Sequence, residues 1–402
     1  MRLRPALRAA GLALLLAAVL DVGLSLTVLR DGEFLGRQLP PYGAITNARQ
    51  LAWLDLKERE PEGADRYGRF DRELGWTNKR GMASSDGLYH FNALGARSLR
   101  EYEPAPPEGV TRLLCFGDSF TFGEEVPDGD DYPALFEDTY PGYEALNFGV
   151  GGYGTDQALL RFRRLAPGLG GHVVCIGLLL ENIGRNVNRY RPLWYPGTPA
   201  NGVKPRFILG PAGLELVPLP FADGPELIAA VRDGSVLELL GEHEYWRGRP
   251  ELPTGRWSGL GRLFAGYLAY SERQPRRLWL EPGGEPYRVS VALLERFHAE
   301  ALELGAETAV VLLFPLRGDL EDYVASGERY WSGLCADLER LGIPYLDLVE
   351  PLAQRHREAL ADPRLGSVLY GGHLSGAGNA VVARELHRWI SAAGVGPQGS
   401  DG

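Results

Sequence analysis

Cysteine is scarce in this chain, and the three present, Cys115, Cys175 and Cys335, show no CxxC spacing. An odd, widely spaced set supplies neither a disulfide framework nor a metal knuckle. Cys115 and Cys175 sit inside apolar runs, where a thiol packs as a small hydrophobe. There is no HExxH helix and no ligand-spaced cluster of His, Cys and Asp, so neither a metal nor a cofactor is expected. Lysine and arginine, 42 together, are outnumbered by 52 Asp and Glu, leave a net charge of −10, and form no basic stripe. That pattern sets nucleic acid aside as a partner. Long low-complexity tracts and repeats of solenoid or propeller period are also missing.

What is there points to a globular α/β protein. At 402 residues, 45% apolar and 23% charged, the chain suits one large domain with additions. Arg2, Arg4 and Arg8 precede an apolar stretch from about Ala9 to Leu29 that only Asp21 interrupts. Its length is near the roughly 20 residues a spanning helix needs, and the arginines favour a cytoplasmic N-terminus with the remainder outside. Residues 1–30 therefore read as a membrane anchor, with a cleaved signal peptide as the rival; either way the domain is exported, membrane-anchored or secreted.

Residues 31–105 read as a small β-rich lead-in, with alternation such as Gly87-Leu-Tyr-His-Phe-Asn92. Regular α/β rhythm occupies 106–395. It opens at Thr111-Arg-Leu-Leu-Cys-Phe116, a buried parallel strand by its continuous apolar run. Further strands are expected at Tyr143–Phe148, His172–Ile176, Thr308–Phe314 and Pro344–Leu348. Helices are expected at Tyr132–Tyr140, Asp156–Leu165, Val289–Leu304, Tyr330–Arg340 and Ala377–Ala392. The rhythm breaks over about 196–286. A hairpin turning on Gly210-Pro-Ala-Gly213 leads there into a stretch holding Tyr245, Trp246, Trp257, Tyr267, Tyr270 and Trp279, read as a cap insertion. Residues 396–402 read as a frayed tail. In an open parallel sheet, ligands bind beyond the strand C-termini, so chemistry belongs in the strand-to-helix loops.

Gly117-Asp118-Ser119-Phe120 follows the first strand directly, placing a serine hydroxyl near a helix N-terminus that favours developing negative charge. Alone, such a tripeptide is more often a helix cap. In context, Phe116-Gly-Asp-Ser-Phe-Thr-Phe-Gly123 resembles block I of the SGNH (GDSL esterase) hydrolases, and the other blocks follow in order. The second is Asn147-Phe-Gly-Val-Gly-Gly-Tyr-Gly-Thr-Asp-Gln157. The third is Gly177-Leu-Leu-Leu-Glu-Asn-Ile-Gly-Arg185, with Glu181 before Asn182 where the family has Asp after it. The last is Gly371-Gly-His-Leu-Ser-Gly-Ala-Gly-Asn379. Gly75-Trp76 and Asn92-Ala-Leu-Gly-Ala-Arg97 also resemble the lead-in of bacterial envelope members.

The resemblance implies a three-layer α/β/α sandwich around a parallel, flavodoxin-like sheet. Ser119 is then the nucleophile, His373 its base, and Ser119, Gly152 and Asn182 the oxyanion hole. It also implies a serine esterase that hydrolyses or transfers acyl esters; export, the membrane tether and the cap's aromatic residues, whose rings could stack on sugars, point to an envelope or extracellular glycan or lipid as substrate. An O-acyltransferase with the same residues and a degenerate glycan-binding module are the alternatives. The family's aspartate three residues before the histidine is here Tyr370. A backbone carbonyl could orient His373 in a Ser-His dyad, Asp362 could fold in as the acid, or the enzyme could be weakened.

Overall fold

The computed structural model describes residues 3–27, 29, 32–60, 68–200, 202–249 and 258–397. Trp257 and the end of the tail lie outside the described residues. The chain divides into two compact units, one of Glu62–Val187, Lys204–Leu219 and Leu278–Gly402, the other of Met1–Pro61, Asn188–Val203 and Pro220–Arg277.

The larger unit is built on five parallel strands: β1 (Thr111–Phe116), β2 (Tyr143–Asn147), β3 (Val173–Leu179), β4 (Thr308–Phe314) and β5 (Tyr345–Asp347). Every residue of β1, β2 and β3 is buried, as expected of strands covered on both faces. The order across the sheet is β5-β4-β3-β1-β2, with Leu113 of β1 beside both Ala145 of β2 and Val173 of β3. This is the flavodoxin-like order, whose switch point lies between β1 and β3. Helices flank the sheet. Thr155–Leu165 buries Ala158, Leu159 and Phe162, and Phe162 meets Phe297 of the helix Glu285–Glu303 edge to face at 5.1 Å. A second set, Tyr132–Thr139, Val349–Ala361 and Gly376–Ala392, packs together in the same unit. The α/β sandwich expected from the sequence is therefore the architecture of this unit.

Burial also shifts the titration of Asp319, a group outside the site. Asp319 sits on the first turn of the helix Arg317–Ser326, where it accepts from Leu316 N at 2.9 Å and Tyr330 OH at 2.8 Å. Desolvation outweighs these bonds and pushes its carboxyl up from 3.8 to about 6. The native state then holds the proton more tightly than the unfolded chain. Asp319 is expected to make stability fall as pH rises from about 4 to about 6, then level off. Asp319→Asn should remove that slope, worth up to about 3 kcal/mol, in urea unfolding followed at pH 4.5 and 7.

The smaller unit departs from the expected partition. Residues read as the first half of the lead-in join the insertion. Gln50 and Asn47 donate to the carbonyls of Thr198 and Pro196 at 3.0 Å each. The buried Glu244 carboxylate takes the backbone N–H groups of Arg189, Tyr190 and Trp246 at 2.5 to 2.9 Å. The insertion is also more helical than its Gly, Pro and aromatic content suggested, with helices Gly224–Asp233 and Gly259–Glu272. The hairpin Arg206–Gly210/Gly213–Val217 forms as expected but belongs to the sheet unit. At the N-terminus, Leu3–Thr27 is one helix; Leu7–Thr27, with mean hydropathy 2.2, is long and apolar enough to cross a membrane.

Candidate active site

The chain leaves β1 at Phe116 and turns at once into the helix Ser119–Phe122. Only glycine fits at 117, because a Cβ there would overlap the Thr121 side chain and approach Gly177 O at 3.2 Å. Asp118 caps the helix, accepting from Phe120 N at 2.9 Å. Ser119 is thus the first helical residue, whose N–H the helix leaves unpaired. Asp118 is fully buried and also accepts from Asn182 Nδ2 at 3.0 Å, with Arg185 Nη1 at 3.7 Å. Burial pushes its carboxyl up, against the opposing pull of Arg185 and these donors.

Asn182 opens the short helix that follows β3, so it stands across the switch point from Ser119. A carboxylate only accepts, so the end of the amide facing Asp118 is its NH2, held in one orientation.

The loop after β2 is braced from several sides. Asn147 Oδ1 accepts from Gly149 N at 3.0 Å, and Val150 N donates to Gly117 O at 3.1 Å. Gly152 takes φ 77° in the turn closed by Tyr153 N and Val150 O, a conformation glycine adopts without strain. The strand Gly75–Asn78 holds the loop from outside: Trp76 Nε1 donates to Gly151 O at 3.0 Å and Asn78 Nδ2 to Gly149 O at 3.2 Å. This part of the lead-in is a brace for the Gly152 loop.

His373 lies in the hairpin Leu369–Tyr370/His373–Leu374, just ahead of Ser375, which caps the last helix. Its Nε2 is 2.9 Å from Ser119 Oγ. The ring packs against Phe120 with centroids 5.4 Å apart. Three of the six other histidines are engaged elsewhere. His90 pairs with Asp128 at 2.6 Å, His172 Nδ1 accepts from Arg112 N, and His387 stacks on Tyr140.

Both expected ways of orienting His373 need correction. Among the described residues no backbone carbonyl takes the Nδ1 proton, and Nδ1 makes no hydrogen bond there. Asp362 caps the following 3₁₀ turn and binds Arg364 with both oxygens, at 2.8 Å each. The acid beside Nδ1 is Glu125, whose Oε1 lies 3.3 Å away, within ion-pair reach but out of line for a hydrogen bond; Glu124 Oε2 is 4.0 Å from Nε2. Glu125 holds φ 76°, unusual for a residue with a side chain, and its N–H donates to Tyr89 OH at 3.0 Å. Arg97 clamps the same loop. Its guanidinium donates to the carbonyls of Phe122, Gly123 and Val126 and to Asp128 at 2.6 to 3.1 Å, and lies over the rings of Tyr89 and Phe122. Gly371, at φ 32°, leaves room for the Glu125 carboxylate. The signal in the sequence was two consecutive acids directly after the serine block.

No family model matches the chain, and no curated protein does. Matches occur among solved structures. They include a lipolytic protein of the G-D-S-L family from Veillonella parvula, at 11% identity over 70% of this chain and 99% of that one, with a TM-score of 0.32. An acetylxylan esterase from Geobacillus stearothermophilus matches at 15% identity over 70% and 94%, TM-score 0.35. A lipase/acylhydrolase from Enterococcus faecalis matches at 13% identity over 72% and 100%, TM-score 0.33. The chain is similar to G-D-S-L lipolytic proteins.

Proposed function

We propose that this chain is a membrane-anchored serine esterase that uses Ser119 as nucleophile, His373 as base and Glu125 to orient the base. The observation that carries this reading is the 2.9 Å contact between Ser119 Oγ and His373 Nε2 at the switch point of the sheet. Ser119 Oγ attacks the acyl carbonyl as its proton passes to Nε2. Negative charge on the tetrahedral oxygen falls to the backbone N–H groups of Ser119 and Gly152 and to the Asn182 amide. The intermediate collapses by breaking the bond to the alcohol, which leaves with the proton from Nε2. Water then repeats the sequence and frees the acid; a second alcohol in its place would make the reaction an acyl transfer.

Trp246 and Trp279, two of the aromatic residues in and beside the insertion, offer no face for a sugar to stack on. Trp246 and Trp279 are each 2% exposed or less, Trp246 packed on Trp194 and Trp279 donating to Leu180 O at 2.7 Å. They serve their cores. The intact Ser119-His373 pair also weighs against a purely binding role.

The test is reaction of the purified chain with a fluorophosphonate probe, followed by mapping of the adduct by mass spectrometry. A stoichiometric adduct on Ser119 that disappears in His373→Ala is expected. A folded protein that takes no probe overturns the reading.

Glu125 gives a separate prediction. Glu125→Gln should lower kcat about 10- to 100-fold with little change in KM. The buried acid of a well-studied protease is worth about 10⁴, and a side chain 40% exposed is more strongly screened. Glu125→Gly should lose the same factor while folding at least as well, because φ 76° suits glycine. Wild-type kcat in both variants would remove Glu125 from the mechanism.

A further inference from the structure

Within the smaller unit, the membrane-length helix Leu3–Thr27 is joined to the helix Gly259–Glu272 by an arrangement the catalytic reading does not use. Asp21, the one acid in the apolar stretch, accepts from Ser258 Oγ and Leu260 N at 2.7 Å each. Ser25 Oγ accepts from Gly259 N at 3.1 Å, and Ser258 Oγ from Gly261 N at 3.1 Å. The first turn of the second helix is therefore capped by side chains of the first and by its own Ser258. The two backbones approach closely, because a Cβ on Gly259 would overlap Ser25 and Leu29.

The face the second helix leaves uncovered is apolar. Phe264, Tyr267 and Tyr270 are 59 to 67% exposed and follow one another at three-residue intervals, which keeps them on one side of a helix. Ala265 and Ala269 are buried. Arg262 is turned to the carbonyls of Leu39 and Pro40, so no charge interrupts the face before Glu272.

Asp21 fixes where that face sits. It lies six residues before Thr27, about 9 Å along the helix axis from the end of the apolar segment. A carboxylate at that depth of a bilayer needs partners, and those it has are the N–H groups and hydroxyl at the start of the second helix. We propose that Gly259–Glu272 is a second membrane-contacting element, with Phe264, Tyr267 and Tyr270 lying in the interfacial layer of the bilayer that Leu3–Thr27 crosses. Aromatic rings with a polar tip favour that layer. The occupant of the face is lipid, argued from the hydrogen bonds that join this helix to Leu3–Thr27, of whose membrane-length stretch no residue is buried. This inference rests on Leu3–Thr27 being a retained anchor.

The test uses full-length protein in phosphatidylcholine nanodiscs. Single cysteines replace Phe264, Tyr267, Tyr270, the mid-span Leu16 and the exposed Arg388, each labelled with an environment-sensitive fluorophore. The native Cys115, Cys175 and Cys335 are buried and will not compete. Lipids carrying a spin label near the headgroup should quench the probes at 264, 267 and 270 several-fold more than the probe at 388, and a label deep in the chain should quench Leu16. Quenching at Leu16 with none at 264, 267 and 270 overturns the inference and leaves the anchor standing. No quenching at Leu16 overturns both. Blue-shifted but unquenched probes at 264, 267 and 270 that revert on dilution would mean a second copy covers the face, which also overturns it.

Discussion

Replacing Ser119 by alanine is expected to lower ester turnover by about 10⁴ to 10⁶-fold, and His373→Ala by a similar factor. The double variant should be no worse than either alone, because a nucleophile without its base and a base without its nucleophile fail at one step. The geometry gives reason to expect a clean comparison. Ser119 is 4% exposed and its Oγ lies 2.9 Å from His373 Nε2. Alanine keeps the helix start and the Asp118 cap, so the stability lost is that of one hydrogen bond, about 1 kcal/mol. Kinetics on a short-chain nitrophenyl ester, with unfolding midpoints alongside, separate the two effects. A Ser119→Ala protein that is folded and still turns over ester at more than about a tenth of the wild-type rate would sink the assignment.

The parts of the molecule legible in sequence are those whose cause is local. Thr111–Phe116 and Thr308–Phe314 are continuous apolar runs because strands buried on both faces have no polar side to show. Ser119, Asn182 and His373 are candidates because the blocks that hold them resemble those of the SGNH hydrolases, and each stands at the end of a strand or just before a helix. Glu125 was not found. An acid placed beside a histidine 248 positions later leaves no mark near that histidine, whereas Asp362 is close in sequence but bound to Arg364. The clue lay in what surrounds Glu125. A non-glycine residue at φ 76°, held by Tyr89 and by the Arg97 clamp, is a loop fixed in an uncommon shape for some purpose. The smaller unit is hard to read in the sequence for a related reason. Its core joins segments before, between and after stretches of the sheet unit through contacts such as those of Gln50 and Glu244, and long-range pairing of that kind has no periodicity to read.

Asn182→Ala is expected to lower kcat by about 10² to 10³-fold, or roughly 3 to 4 kcal/mol of transition-state stabilisation, with a much smaller change in KM. In the proposed mechanism the amide meets charge that exists only once the carbonyl has become tetrahedral, so its loss would raise the barrier without loosening the ground state. The surroundings of Asn182 add a second consequence that the sequence did not suggest. Its Nδ2 is also a donor to the fully buried Asp118 carboxylate at 3.0 Å. Alanine removes that donor and leaves Asp118 with Phe120 N and the more distant Arg185. Removing one partner of a buried charged group costs about 1 to 3 kcal/mol, so the variant should also unfold at measurably lower urea concentration. Asn182→Asp separates the two roles. It keeps the size of the side chain but puts a second carboxyl against Asp118, so it should be at least as destabilised as alanine and no more active. An alanine variant with wild-type kcat would remove Asn182 from the oxyanion hole, whatever its stability. A variant destabilised but fully active would leave Asn182 as a partner of Asp118 alone, and the hole would rest on the Ser119 and Gly152 backbone.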